Sequence, residues 1–245
     1  MSTSASTARD SSPSASPRRT DSRGVDAPVR SEAFGEKKTL SLVERYGVWL
    51  SCRAVRRHVT FDGKRVADFG CGYEARFARQ IMPRAERMLL VDVHLADDLK
   101  HHPKVHAKDE PIETVLPQLP SESLDIVMCL SVLEHLKEPQ QALDNFRRIL
   151  VPGGVALINV PSWRGKFWLE LAAFRLGLSA AFEIEDHKRY YDPRDLWPML
   201  VRAGFRPREV SCKRHKFGLN TFAVCRAPEV TASSATRSLP AGDQV

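Results

Sequence analysis

Arg65-Val66-Ala67-Asp68-Phe69-Gly70-Cys71-Gly72-Tyr73-Glu74 is the stretch whose reading decides the fold. Val66, Ala67 and Phe69 form a short apolar run of strand type, and Gly70-Cys71-Gly72 turns it into a helical pattern expected to begin near Glu74. Glycine suits such a turn, because without a Cβ it tolerates positive φ and lets another group approach the backbone. Amides at the start of the next helix would face the same spot and favour a negatively charged group there. A second apolar run, Met88 to Val91, closes on Asp92, twenty positions after Gly72. That spacing suits a nucleoside-binding βαβ unit, in which a carboxylate ending the second strand accepts hydrogen bonds from ribose hydroxyls.

Two readings fit these residues. Gly70 and Gly72 with Ala75 satisfy the loose G-x-G-x-x-G/A fingerprint, which keeps an NAD(P)-dependent oxidoreductase in view. Asp68 separates the two. A carboxylate two residues before Gly70 would repel a pyrophosphate, whereas it would attract a ligand carrying an ammonium or sulfonium. Val66-Ala67-Asp68-Phe69-Gly70-Cys71-Gly72 resembles the first motif of the class I S-adenosylmethionine-dependent methyltransferases.

The resemblance continues downstream. Leu124 to Leu130 is a continuous apolar run broken only by Asp125 near its start, the pattern of a strand buried on both faces of a parallel sheet. Leu133-Glu134-His135-Leu136 follows, and Pro139 opens a helix with a buried stripe of Ala142, Leu143, Phe146, Ile149 and Leu150. Pro152-Gly153-Gly154 is expected to turn the chain into a fifth strand, Val155 to Val160. From Glu134 to Val160 the sequence resembles the family's later motifs, and the two regions together span about ninety residues.

The resemblance implies a doubly wound α/β domain with a mostly parallel, seven-stranded Rossmann-like sheet and a terminal antiparallel hairpin, expected over Arg208–Lys213 and Thr221–Cys225. It implies S-adenosyl-L-methionine as cofactor and in-line methyl transfer to an acceptor. Gly70, Cys71 and Gly72 would then admit the cofactor, Asp68 would attract its amino group and Asp92 would hold its ribose. Asp109 or Glu110, at the end of a third strand near Val105–Ala107, would meet the adenine, with no choice between them from sequence. Leu130 and Ser131 fall beside the cofactor, at the carboxyl end of the fourth strand. His135 borders the reaction centre, where it serves as a base or pins its loop by a hydrogen bond. His187 and Tyr191, in Glu185-Asp186-His187-Lys188-Arg189-Tyr190-Tyr191, are further candidates on the acceptor side.

Before the glycine turn, apolar residues from Leu40 to Val59 recur at helical spacing, and Gly47 interrupts the pattern. A leading helix is therefore expected over residues 36–59, covering the cofactor side of the sheet or simply packing there. Residues 162–191 read as an insertion: Trp163, Phe167, Trp168, Phe174 and several leucines, interspersed with Arg164, Lys166 and Arg175. Such a segment suits a lid over a bulky small-molecule or lipid-like acceptor, with peripheral membrane contact as a corollary, or an insertion packed into the core. Another helix should follow, capped by Asp192 or Asp195 and ended by Gly204; Pro198 favours the later start.

Composition bounds the remainder. The chain has 245 residues, 42% of them apolar, enough for one domain of ordinary size with a sizeable core. Residues 1–33 and 228–245 are rich in Ser, Thr, Ala and Pro, and are expected to be disordered tails around a methyltransferase domain at 34–227. The absence of an apolar run of membrane-spanning or leader length makes a cytoplasmic location the expectation. Five scattered cysteines lack C-x-x-C spacing, and His101-His102 are adjacent and point apart, so no metal site is expected. A net charge of +7 allows anionic partners, but no nucleic-acid-binding motif accompanies it. A catalytically silent, methyltransferase-like partner protein would keep this fold, but the intact glycines and Asp92 argue against that.

Overall fold

The computed structural model describes residues 33–36, 42–167 and 189–229. Seven strands form one sheet: β1 (Arg65–Phe69), β2 (Arg87–Asp92), β3 (Val105–Asp109), β4 (Leu124–Leu130), β5 (Leu150–Pro161), β6 (Val210–His215) and β7 (Asn220–Arg226). Their spatial order is β3-β2-β1-β4-β5-β7-β6. The pairings β1 with β2, β1 with β4, β2 with β3 and β4 with β5 are parallel. β7 pairs antiparallel with both β5 and β6. The expected doubly wound sheet is present, and its antiparallel pair is threaded so that the last strand lies inside.

Side-chain alternation explains why both faces must be covered. In β4, Ile126 and Met128 join one apolar cluster while Val127 and Cys129 join the other. In β2, Leu90 faces the first cluster and Leu89 and Val91 face the second. A strand with no polar face buries completely only when helices lie on both sides. α1 (Leu42–Arg56) and α2 (Arg76–Ile81) contribute Cys52, Val55, Phe77, Ala78 and Ile81 to one cluster. On the other side lie α5 (Pro139–Ile149), with Ala142, Leu143, Phe146 and Ile149, and α6 (Pro193–Arg202), with Leu196 and Leu200. Phe146 packs against Phe69 of β1 with ring centroids 5.2 Å apart and planes tilted by 31°, joining the key strand to α5. Short helical turns, α3 (Asp97–Lys100) and α4 (Ile112–Val115), flank β3.

Several boundaries differ from the sequence expectation, each for a physical reason. α1 ends at Arg56, three residues before the periodicity suggests. Residues 33–36 form a turn, in which the Glu36 side chain accepts from the Ala33 N–H at 3.1 Å. The polar connection after β2 contains α3, whose Lys100 pairs with Asp97 one turn back, at 3.2 Å. Pro152-Gly153-Gly154 does not precede the fifth strand but lies within it: Leu150 pairs with Leu124 and Val155 with Ile126, so β5 bulges between them. α6 begins at Pro193 with Pro198 inside, so the earlier start wins. Asp192 and Asp195 both serve its entrance, the Asp192 N–H donating to Asp195 Oδ2 at 2.9 Å, and this capping box offsets the bond Pro198 cannot donate. The expected tails, except Ala33, Pro228 and Glu229, and insertion residues 168–188 lie outside the described residues.

Candidate functional site

A cavity of about 650 Å³ opens at the carboxyl ends of β1, β2 and β4. Parallel sheets place ligand sites there, because neighbouring crossovers leave on opposite faces and the backbone parts. The glycine turn forms its floor, with Gly70 at φ 73° and Gly72 at φ 77°. These glycines are required by packing against the protein itself, as well as by openness. A Cβ on Gly70 would lie 2.1 Å from Val132 Cγ2, and one on Gly72 would lie 3.0 Å from the Phe34 carbonyl. That carbonyl accepts from the Tyr73 N–H at 3.1 Å, so residues 33–36 form a strap across the turn. His94 Nδ1 lies 3.1 Å from Glu36 Oε2 and ties the strap to the end of β2. Phe34 and Gly35 line the cavity.

Two buried carboxylates give the floor its character. Asp92 Oδ2 accepts from the Gly72 N–H at 2.7 Å and Oδ1 from the Val93 N–H at 2.8 Å, so one side chain fixes the glycine turn to β2. Asp68 is 4% exposed and faces the cavity. Burial pushes its carboxyl up to about 7, and the nearby Asp92 carboxylate pushes the same way. Such an acid becomes a full anion when a cation arrives. Cys71 lines the same floor, but burial holds its thiol well above the ordinary range, which keeps it un-ionised and unsuited to attack.

The wall at β4 carries the other expected residues. Leu130, Ser131 and His135 all line the cavity. Ser131 stands at φ 61°, a left-handed conformation that L residues resist. Asn159 of β5 secures it: the Ser131 N–H donates to the Asn159 carbonyl at 2.7 Å, and Asn159 Nδ2 donates to Ser131 Oγ at 3.1 Å. Leu133–His135 is a single 3₁₀ turn, closed by the His135 N–H on the Val132 carbonyl at 2.9 Å.

The structure divides the remaining candidates. Glu110 lines the cavity, whereas Asp109 is taken by Lys100 Nζ at 2.6 Å and is not part of the wall. Tyr191 is 5% exposed and packs in the core beneath α6; it does not reach the cavity lining. Its N–H donates to the Pro161 carbonyl at 2.9 Å, which ties this residue to the end of β5. His187 lies outside the described residues. Two contributors escaped sequence reasoning: Asn159, within an apolar strand, and Lys216, in the β6–β7 turn, which lines the cavity from across the sheet. Among the described residues no cluster of His, Cys, Asp and Glu is placed to hold a metal ion. No described helix is long and apolar enough to cross a membrane.

With this geometry in view, likeness to known proteins is informative. The sequence profile of a family described as methyltransferase domain matches residues 45–210, from α1 into β6. A ubiquinone biosynthesis O-methyltransferase of Neisseria meningitidis serogroup C is 22% identical over 191 residues, 74% of this chain and 79% of that protein. One of the same name from Idiomarina loihiensis is 29% identical over 158 residues, 58% of this chain and 61% of that one. The crystal structure of a SAM-dependent methyltransferase from Archaeoglobus fulgidus superposes with a TM-score of 0.54 at 16% identity, covering 76% of this chain and 100% of the other. At that identity the superposition speaks for the fold.

Proposed function

The chain belongs to the methyltransferase-domain family, as a class I S-adenosylmethionine-dependent methyltransferase, and from that premise we propose that its central cavity binds this cofactor and methylates a small or lipid-like molecule. The observation that carries the assignment of the site is its charge: a floor of two buried carboxylates, Asp68 and Asp92, around a glycine turn. A pyrophosphate would be repelled there, so the glycine fingerprint does not favour a nicotinamide cofactor. The donor set fits an aminoacyl nucleoside. Asp68 meets its ammonium, Asp92 accepts from its ribose while steadying Gly72, and Glu110 takes the adenine amino group in place of Asp109. Leu130 and Ser131 flank it at the end of β4.

When bound, S-adenosylmethionine supplies an electrophilic methyl group on sulfonium sulfur, open to in-line attack by an acceptor atom. The protein's contribution is alignment and dryness: holding two reactants at the right distance and angle removes several kcal/mol of entropic barrier. The strap at 33–36 excludes water from the cofactor side. His135, at the rim, removes a proton when the acceptor is a hydroxyl. The names of the relatives support oxygen as the acceptor atom and a quinone-like, lipid-tailed molecule as its carrier.

Calorimetric titration with S-adenosylhomocysteine tests the site. We expect saturable binding to the full chain, and at least tenfold weaker binding to Asp92→Ala with the thermal transition retained. Binding of NADH with no heat from S-adenosylhomocysteine would overturn the assignment.

A further inference from the structure

In the same cavity as the acidic floor stands a cation, Lys216, to which the reading above gives no role. Lys216, Phe217 and Gly218 join β6 to β7 with three consecutive positive φ angles, 47°, 59° and 87°. This left-handed run places the Lys216 side chain in the cavity wall, while Phe217 remains 84% exposed. Nζ lies beside α1, at van der Waals distance from the position a Cβ on Gly47 would take, 3.7 Å. Desolvation lowers the lysine's pKa from its ordinary value, against the pull of buried Glu134 and of Cys52. An ammonium kept from water in this way is stabilised by an anion brought to it.

We propose that Lys216 receives an oxyanion of the methyl acceptor, so that the enzyme selects molecules bearing an acidic hydroxyl of phenol or enol type, or a carboxylate. The proposal rests on reading the cavity as the methyl-transfer chamber. Gly47, Val48, Ser51 and Cys52 of α1 form the wall beside Lys216, and Val132 and His135 form the wall after β4. An acidic hydroxyl bound there loses its proton to His135 or water at lower pH than in solution, because the ammonium favours the charged form.

The test uses the full chain saturated with S-adenosylhomocysteine and three probes: 4-nitrophenol, 4-nitrobenzoate and uncharged 4-nitroanisole. Calorimetry reads affinity, and the visible band of nitrophenolate reads ionisation of the bound phenol. We expect at least a tenfold preference for an anion over nitroanisole. The two anionic arms tell hydroxyl from carboxylate, and a phenol preference should come with ionisation at lower pH. Lys216→Met should erase the preference and Lys216→Arg should retain it, both with unchanged affinity for S-adenosylhomocysteine. Without any variant, raising the pH should abolish nitrophenolate binding below the ordinary lysine pKa, since the probe stays charged while Lys216 does not. No anion preference in the wild type, its survival in Lys216→Met, or loss of S-adenosylhomocysteine affinity in a folded Lys216→Met would each overturn the role of Lys216. Failure of S-adenosylhomocysteine to bind the wild type would instead remove the chamber reading beneath it.

Discussion

Asp68 concentrates the chemistry of the site in one side chain. Its carboxyl titrates near 7 instead of at the usual carboxylate value of 3.8, first because it is desolvated and second because Asp92 is close. Between those values the folded protein keeps a proton that the unfolded chain has released. The stability this contributes is complete below about pH 4 and is lost as pH rises through about 7. The unliganded protein should therefore lose stability over that window by more than Asp68→Asn does, in urea melts at a series of pH values. A cationic ligand group selects the carboxylate, so binding should expel the proton. Titrations with S-adenosylhomocysteine near pH 6, in two buffers of different ionisation enthalpy, should show release of up to one proton and affinity rising with pH. Asp68→Asn should show neither, and equal release from that variant would remove Asp68 from the ammonium contact. At this scale local sequence was a good guide where the chemistry is local: Asp68, Asp92, Ser131 and His135 all stand on the cavity wall or floor. It failed where the deciding partner is distant. Lys100 claims Asp109 and leaves Glu110 to the cavity. Asn159 reaches Ser131 from β5 and Lys216 reaches the cavity from the β6–β7 turn, and no spacing rule connects either to the motifs.

Among the elements, the β1–α2 turn is the least forgiving. Gly70 combines positive φ with contact against Val132, so Gly70→Ala adds backbone strain to a steric clash. We expect a loss of about 2–4 kcal/mol in denaturant unfolding, partly restored when Val132→Ala accompanies it. No restoration would mean that φ alone dictates the glycine. The turn also shows how far elements can be read from sequence. Every member of the stripe expected for α5 is in the core, since one clean helical period admits only one face, although Leu150 opens β5 instead of closing the helix. β4 was legible as a continuous apolar run for the same reason. The β5 bulge and the early start of α6 were not, because each follows from pairing or capping that outweighs a local breaker.

For the molecule as a whole, the thread of the sheet matters more than any single contact. β7 sits between β5 and β6 and hydrogen-bonds both, and its Ala223 and Cys225 are fully buried in the larger core. Removing residues 205–245 would strip β5 of its antiparallel partner and expose an edge from Val155 to Val160. We expect that shortened chain to show no cooperative thermal transition by circular dichroism, whereas removing only residues 230–245 should leave the transition intact. The same threading bears on how the protein is made. A ribosome delivers β5 about sixty residues before the strand that completes it. Throughout that interval the nascent domain carries an open seam, and it closes only when the later strand arrives.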